Sequence, residues 1–142
     1  YGGAFFGQES DNIIMDETEG YYKVDVDLST KKYTLTPITT IGIIGDATDN
    51  GWSGDDIDMK YVPYNKETKE GRYWEAKNIK LKAGECKFRA NDAWDMQWGF
   101  DGDKFVFSNN APQKQFVPEE GTYDIKLYAW ANGYAKCEFT KK

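Results

Sequence analysis

The stretch Tyr123-Asp124-Ile125-Lys126-Leu127 places apolar side chains at every second position, with charged side chains between them. Successive side chains of a β-strand point to opposite faces, so this alternation predicts a strand with one face on the core and the other in solvent. Residues 22–28 repeat the pattern. Further short strands are predicted at residues 40–44, 59–64, 72–77, 85–90, 104–107 and 134–140.

Turn-forming sequences separate these strands. Examples are Asp49-Asn50-Gly51, Asp101-Gly102-Asp103 and Glu119-Glu120-Gly121, in which glycine lies beside acidic or amide side chains. No segment has helical periodicity. Many short strands at a spacing of about ten residues are typical of antiparallel sandwiches. The sequence therefore predicts an all-β protein built as an antiparallel β-sandwich.

The composition excludes several classes of function. The 142 residues include no histidine, 18 basic and 24 acidic side chains, and the formal net charge is −6. Without histidine, Ser–His and Cys–His nucleophile pairs and the commonest zinc and copper ligands are excluded. The negative charge argues against nucleic acid and anionic membranes as partners.

The sequence also predicts a piece of a longer protein. The first residue is Tyr1 rather than methionine, and no signal sequence is present. No apolar stretch approaches the roughly 20 residues of a membrane-spanning helix.

An internal repeat divides the chain. Tyr22 aligns with Tyr123 and Tyr33 with Tyr134, and Tyr1-Gly2 aligns with Trp98-Gly99 at a slightly different offset. Residues 1–37 are therefore predicted to be the C-terminal part of one repeat module, and residues 38–142 a complete second module. The alternative is that residues 1–37 add strands to one larger sandwich.

Cys86 and Cys137 are the only cysteines, and each is followed two positions later by a phenylalanine. On a strand, each thiol would therefore face the same side as that ring. A disulfide between them and two buried free thiols are both compatible with the sequence.

A polar row precedes a tryptophan-containing loop. Lys87, Arg89 and Asn91 share one face of their predicted strand, with Cys86 and Phe88 on the other, so the polar row is predicted to point away from the core. A solvated strand face is the usual explanation of such a row. The row becomes a candidate binding surface because two tryptophans follow it in the segment that ends at residue 99.

The tryptophans differ in their expected roles. Trp94 directly follows the polar row, and Trp52 lies in a second loop after Asn50-Gly51. Flat rings beside hydrogen-bond donors suit a sugar, since pyranose faces are apolar and their edges carry hydroxyls. For Trp52, packing within its loop is the alternative, and for Trp98 a core position and a platform are both open. Trp74, in the middle of a strand, is predicted to be core.

The acidic loop at residues 46–58 carries five aspartates and so resembles a calcium site, but its spacing does not fit an EF-hand. A solvated loop is the commoner case, and we predict no metal and no cofactor. No two carboxylates are singled out for glycoside hydrolysis, and phosphate-binding loops and nucleophile elbows are absent. No enzymatic activity is predicted.

Four motifs that follow one another along the chain carry a family resemblance. Ile41-Gly42-Ile43-Ile44-Gly45-Asp46-Ala47-Thr48 is followed by Gly51-Trp52, then by Gly84-Glu85-Cys86-Lys87-Phe88-Arg89-Ala90-Asn91 with Trp94, and finally by Pro118-Glu119-Glu120-Gly121-Thr122-Tyr123-Asp124-Ile125. This order resembles the repeated modules of the SusE and SusF type outer-membrane lipoproteins of starch-utilisation systems. The similarity covers residues 38–142 and, as a partial repeat, residues 1–37.

The resemblance implies tandem immunoglobulin-like modules on a cell-surface protein whose lipid anchor lies outside this chain. Such modules hold starch or other glycans without cleaving them. Implied partners are oligosaccharides or polysaccharides, neighbouring modules and outer-membrane transporter components. The chain is also similar, more distantly, to the glycogen-binding module of the AMP-activated kinase β subunit. Its sugar-binding residues carry over to Trp52, Lys87 and Trp94, and loosely to Asn109 or Asn110.

The leading hypothesis is a non-catalytic carbohydrate-binding module, with starch or another α-glucan as ligand. Its predicted site comprises Trp52, Lys87, Arg89, Asn91, Trp94 and Trp98. The alternative is a structural spacer or partner-docking module of the same lipoprotein without its own ligand site, which predicts that Trp52 and Trp94 are buried. A third hypothesis, a small glycosidase, predicts the release of reducing sugar.

Overall fold

The computed structural model describes residues 2–4, 19–108, 115–130 and 135–142. Over these residues the protein is all-β, with antiparallel sheets and no helix. The strands are β1 (Gly2–Ala4), β2 (Tyr22–Asp27), β3 (Lys32–Pro37), β4 (Ile41–Ile44), β5 (Ile57–Asp58), β6 (Lys60–Val62), β7 (Tyr73–Leu81), β8 (Gly84–Ala90), β9 (Gln97–Asp101), β10 (Lys104–Ser108), β11 (Gln115–Val117), β12 (Gly121–Tyr128) and β13 (Lys136–Lys141). In that part of the chain, no helix is long and apolar enough to span a membrane.

The all-β prediction is confirmed, and each predicted strand has a counterpart. Strands β1, β3, β5 and β11 were not predicted, and of β9 only its start at Trp98 was expected. Strands β1, β5 and β11 have only two or three residues each, whereas β3 (Lys-Tyr-Thr-Leu-Thr-Pro) does alternate, with Tyr33 and Leu35 buried, and was missed. Short strands carry too few positions for a period of two to be recognised.

The chain divides into two compact units, residues 1–39 and 40–142. In the first unit the strands are ordered β1-β3-β2. Val24 and Val26 of β2, and Leu28 directly after it, are exposed, so the apolar face that the alternation predicted for this strand is not covered by a second layer. Alternation decides which side chains share a face, but burial needs a second layer over that face.

Two hairpins test the alignment of the repeat. In β2–β3, Val26 lies opposite Tyr33, and in β12–β13 its predicted equivalent Leu127 lies opposite Cys137. The repeat alignment equates Tyr33 with Tyr134, so it placed Tyr134 opposite Leu127. The structure places Cys137 there instead, and Tyr134 lies outside the described residues. Strand β1 pairs with β3, whereas β9, its predicted counterpart, pairs with β8 and β10. The division into repeat modules stays a prediction.

The second unit contains two antiparallel sheets. One has the order β10-β9-β8-β4-β5, with β11 also paired to β8, and the other has the order β13-β12-β7-β6. Phe88 of β8 is fully buried, and its ring contacts Phe105 in the same sheet and Phe139 of the other sheet, at centroid distances of 6.0 and 6.1 Å. The alternating β12 directs Ile125 and Leu127 into the core. The sheets therefore share one apolar core.

The two cysteines are not joined by a disulfide; Cys86 is buried in this core and Cys137 is half-buried. Burial raises the pKa of Cys86 to about 12 and that of Cys137 to about 12, because a thiolate loses its hydration there. Trp74 is also buried, with its ring 5.5 Å from that of Tyr61, so its assignment to the core is confirmed.

Candidate functional site

Strand β8 separates a core face from a polar face. Cys86, Phe88 and Ala90 are buried, whereas Lys87 and Arg89 between them are half-buried on the opposite side. This confirms the faces predicted from the sequence. Strand β4 lies beside β8 with Gly42 opposite Arg89, so no side chain of β4 covers the arginine from that position.

The loop after β8 folds back over this polar face. Asn91 and Asp92 adopt left-handed backbone conformations, with φ of 55° and 54°, which asparagine and aspartate tolerate better than most residues. Backbone bonds from Ala93 to the Ala90 carbonyl (3.1 Å) and from Ala90 to the Met96 carbonyl (2.9 Å) close the turn. This reversal of the chain brings Trp94 back beside β8.

Asn91 serves the backbone of this turn. Its N–H donates to the carbonyl of Thr40 at 2.9 Å, and its Oδ1 accepts from the Thr40 N–H at 3.5 Å. Both bonds tie the end of β8 to the start of β4. The structure therefore places this predicted site residue at a structural junction.

Trp94 lies over the two cationic side chains of β8. The Arg89 Cζ is 4.7 Å from the centroid of its ring, and the Lys87 Nζ is 5.9 Å from it. Both distances fall within the range of cation–π attraction. The indole is nevertheless 42% exposed, so it remains accessible to a ligand.

Trp52 completes an aromatic pair with Trp94. It follows a tight turn in which Gly45 bridges to Gly51, and Gly51 has a φ of 65° that favours glycine. Trp52 is half-buried, and the two indole centroids are 6.3 Å apart with an interplanar angle of 35°. Two separate loops thus present one angled aromatic surface, which we call the Trp52–Trp94 pair.

Gln97 links the loop to the strand. The side chain of Gln97 is buried, its Nε2 donates to the Trp94 carbonyl at 3.0 Å, and its Oε1 accepts from the Lys87 Nζ at 3.2 Å. A buried amide must satisfy its donors and acceptors, so it fixes the groups around it. Sequence reasoning missed this residue. The available signal was a polar side chain at the start of an otherwise apolar strand.

Asp56 is the second residue that the sequence did not single out for the site. The Arg89 Nε donates to its Oδ2 at 2.8 Å and the Nη2 to its Oδ1 at 2.7 Å, a bidentate pair. The side chains are 1% exposed for Asp56 and 12% for Arg89. Hydrogen bonding to Asp56 raises the pKa of Arg89, so the guanidinium stays charged.

The acidic loop distributes its carboxylates over separate contacts. Asp46 accepts the Glu85 N–H at 2.6 Å, Asp49 pairs with Lys82 at 2.9 Å, and Asp56 pairs with Arg89. In the described part of the chain, no group of three or more acidic, cysteine or histidine side chains could hold a metal ion.

The remaining candidates lie elsewhere. Trp98 is 2% exposed and packs on Phe107 with ring centroids 5.1 Å apart, so of its two alternatives the core position applies and it cannot stack on a sugar. It follows Gln97 on β9 and lies opposite the core residue Phe88 of β8, so its ring faces the core. Asn109 and Asn110 lie outside the described residues. Trp130 is exposed and packs on Tyr128 of the other sheet.

A groove of about 320 Å³ lies beside the ion pair of Asp49 and Lys82. Residues 80–82 and 120–122 complete its lining. It contains no aromatic ring and none of the predicted site residues. The partly exposed Trp52–Trp94 pair, rather than this groove, is the chemically distinctive surface.

Comparisons with protein-family models, curated proteins and solved structures gave no match to this chain.

Proposed function

We propose that residues 40–142 form a non-catalytic glycan-binding module that holds an α-glucan chain, such as starch, on the Trp52–Trp94 pair. The observation that carries this proposal is the accessibility and geometry of the pair. The rings are 6.3 Å apart at 35°, and Trp94 is 42% exposed. The spacer alternative predicts that both rings are buried, so the exposure of Trp94 favours a binding module over it.

The chemistry around the pair suits a sugar. The indole faces can stack on the apolar faces of pyranose rings, and the Lys87 ammonium beside Trp94 is placed to donate a hydrogen bond to a ring hydroxyl. The Arg89 guanidinium already gives two hydrogen bonds to Asp56. Its main role at the site is therefore to support the ring.

The charge balance favours a neutral glycan. The chain carries a net charge of −6, and Asp56 neutralises one of the two cations under Trp94. A polyanionic ligand would be repelled at low ionic strength. Unsubstituted α-glucans avoid this repulsion.

The proposal extends to the whole protein. The two facing sheets of the second unit, joined through Phe88 and Phe139, are compatible with an immunoglobulin-like β-sandwich. With the motif order described above, this supports a module of a SusE or SusF type lipoprotein at the outer-membrane surface. Neighbouring modules and transporter components would be its partners.

Calorimetric titration of the chain with maltoheptaose tests the proposal. We expect binding with a dissociation constant of about micromolar to millimolar, since two partly exposed rings contribute only a few kcal/mol. No heat and no spectral shift with maltoheptaose or with a panel of unrelated glycans would remove the binding role in favour of a spacer or docking module. Release of reducing sugar during the titration would overturn the non-catalytic assignment.

A further inference from the structure

Gly42 leaves a space that another side chain occupies. A Cβ added at this position would lie 2.5 Å from the Cβ of Asp56, closer than real Cβ atoms approach. Gly42 does not have a left-handed backbone conformation, so the backbone itself does not require glycine. A glycine inside a strand often marks the close approach of another group. Here the group is the Asp56 side chain.

The position of Asp56 over Gly42 fixes Arg89. Gly42 lies opposite Arg89 in the β4–β8 pair, and Asp56 receives two hydrogen bonds from the guanidinium. The carboxylate is almost fully buried. A buried charge must keep its partner, and a bidentate pair allows one relative orientation of the two side chains.

Arg89 in turn supports Trp94. The guanidinium lies 4.7 Å from the ring centroid, and Gln97 holds the Trp94 carbonyl from the other side of the loop. The ring is thus fixed through its face and through its backbone. Trp52, on a different loop, meets it at an angle of 35°.

We propose that Gly42, Asp56 and Arg89 form a brace that sets the angle of the Trp52–Trp94 pair before any ligand arrives, so that these three residues determine how strongly the pair prefers curved glycan chains over straight ones. The brace consists of positioning residues. Two inclined rings match successive sugar faces that turn relative to one another, as they do along an α-1,4-linked chain. A preformed angle also lowers the ordering cost of binding. The selection of chain shape rests on the proposed function, whereas the positioning of Trp94 does not.

The positioning is tested without any glycan. Two indoles this close give an exciton couplet in the far-ultraviolet circular dichroism spectrum. The couplet is recognised as the part of the spectrum that disappears in the Trp52→Phe variant. In Asp56→Asn, which keeps the shape of the side chain, and in Gly42→Ala, which displaces it, we expect the couplet to fall by about half or more. Arg89→Lys keeps a positive charge but loses the bidentate geometry, and it decides the matter if Asp56→Asn does not fold.

Two variants serve as matched controls. Asp49→Asn removes a carboxylate from the same loop, but from an exposed ion pair with Lys82. Gly121→Ala changes a strand glycine whose added Cβ meets only the flexible end of Lys141. Both should keep the full couplet. A couplet that is unchanged in the folded brace variants would overturn the brace.

The selection of chain shape is tested by the ratio of affinities for maltoheptaose and cellohexaose. The unsubstituted chain should favour maltoheptaose, and Asp56→Asn should reduce that preference at least about fivefold, while Asp49→Asn preserves it. A reduced couplet with an unchanged ratio would overturn the selection and leave the positioning intact. If the unsubstituted chain binds no glycan, the proposed function fails, and the couplet alone still decides the brace.

Discussion

The guanidinium of Arg89 lies against the indole of Trp94, with the Arg89 Cζ 4.7 Å from the ring centroid. One face of the ring is thereby covered by the protein's own cation, while 42% of the residue stays exposed. The same guanidinium is held by the buried carboxylate of Asp56. Through this arrangement a loop tryptophan is tied to the sheet beneath it.

Removal of either ring of the pair should weaken glycan binding. For Trp94→Ala and for Trp52→Ala we expect at least about a tenfold loss in affinity for maltoheptaose, equivalent to about 1.4 kcal/mol. Calorimetry measures the change. Trp130→Ala is the matched control, because Trp130 is also exposed but packs on Tyr128 of the other sheet. An equal loss in the Trp130 variant would contradict a site at the Trp52–Trp94 pair.

Substitution of Trp98 should change stability rather than binding. Trp98→Ala should lower the free energy of unfolding by about 3–5 kcal/mol, since it empties a large buried volume. Trp98→Phe should cost much less, because the indole N–H has no hydrogen-bond partner among the described residues. Urea unfolding gives both values. A folded Trp98→Phe variant that has lost glycan affinity would contradict the core assignment.

The left-handed turn at Asn91 should depend on its backbone conformation. Asn91→Val should destabilise the protein by about 1–2 kcal/mol, because a β-branched residue is strained at a φ of 55°. Asn91→Gly also loses the side-chain bond to Thr40 but has no such strain, so it should cost less. Chemical denaturation compares the two. A valine variant as stable as the glycine variant would argue against this role.

The buried thiols should make stability fall at high pH. In the unfolded chain Cys86 loses its proton near pH 9, whereas in the folded protein its pKa is about 12, so the folded state binds more protons between these values. Stability is therefore unaffected by this group below about pH 8 and declines above it, by about 1.4 kcal/mol per pH unit for each such thiol.

Denaturation curves from pH 8 to pH 11 measure this slope. Cys86→Ala should show a shallower decline than the unsubstituted chain, since lysine and tyrosine titrations contribute equally to both proteins. A matching change is expected in Cys137→Ala. Identical slopes in all three proteins would show that the thiols do not titrate differently on folding.

The local faces of the site followed from the sequence. Cys86 and Phe88 face one side of β8 and Lys87 and Arg89 face the other, which is the period of two that a regular strand follows. The sequence also distinguished Trp74, which is buried in the core, from Trp94, which is accessible, because Trp74 lies within a strand and Trp94 in a loop. The direction of the Trp98 side chain could not be predicted from the sequence, because the strand that contains it begins only one residue earlier.

The partners of Arg89 and Trp94 required the three-dimensional structure. Asp56 is separated from Arg89 by 33 positions, and the acidic loop around it offered several carboxylates of equal promise. Which of them reaches the arginine depends on the space over Gly42 and on the pairing of β4 with β8. Such long-range choices leave no periodic trace in the sequence.

The sequence by itself therefore determined an all-β chain, the two faces of β8 and the presence of tryptophans in two loops, because each of these depends on neighbours a few residues apart. Only the tertiary structure decided that Trp52 meets Trp94, that Trp98 is buried, that the apolar face of β2 is exposed, and that Asp56 holds Arg89. These depend on which strands pair and which layers cover them. That outcome is set by packing over the whole unit rather than by any local pattern.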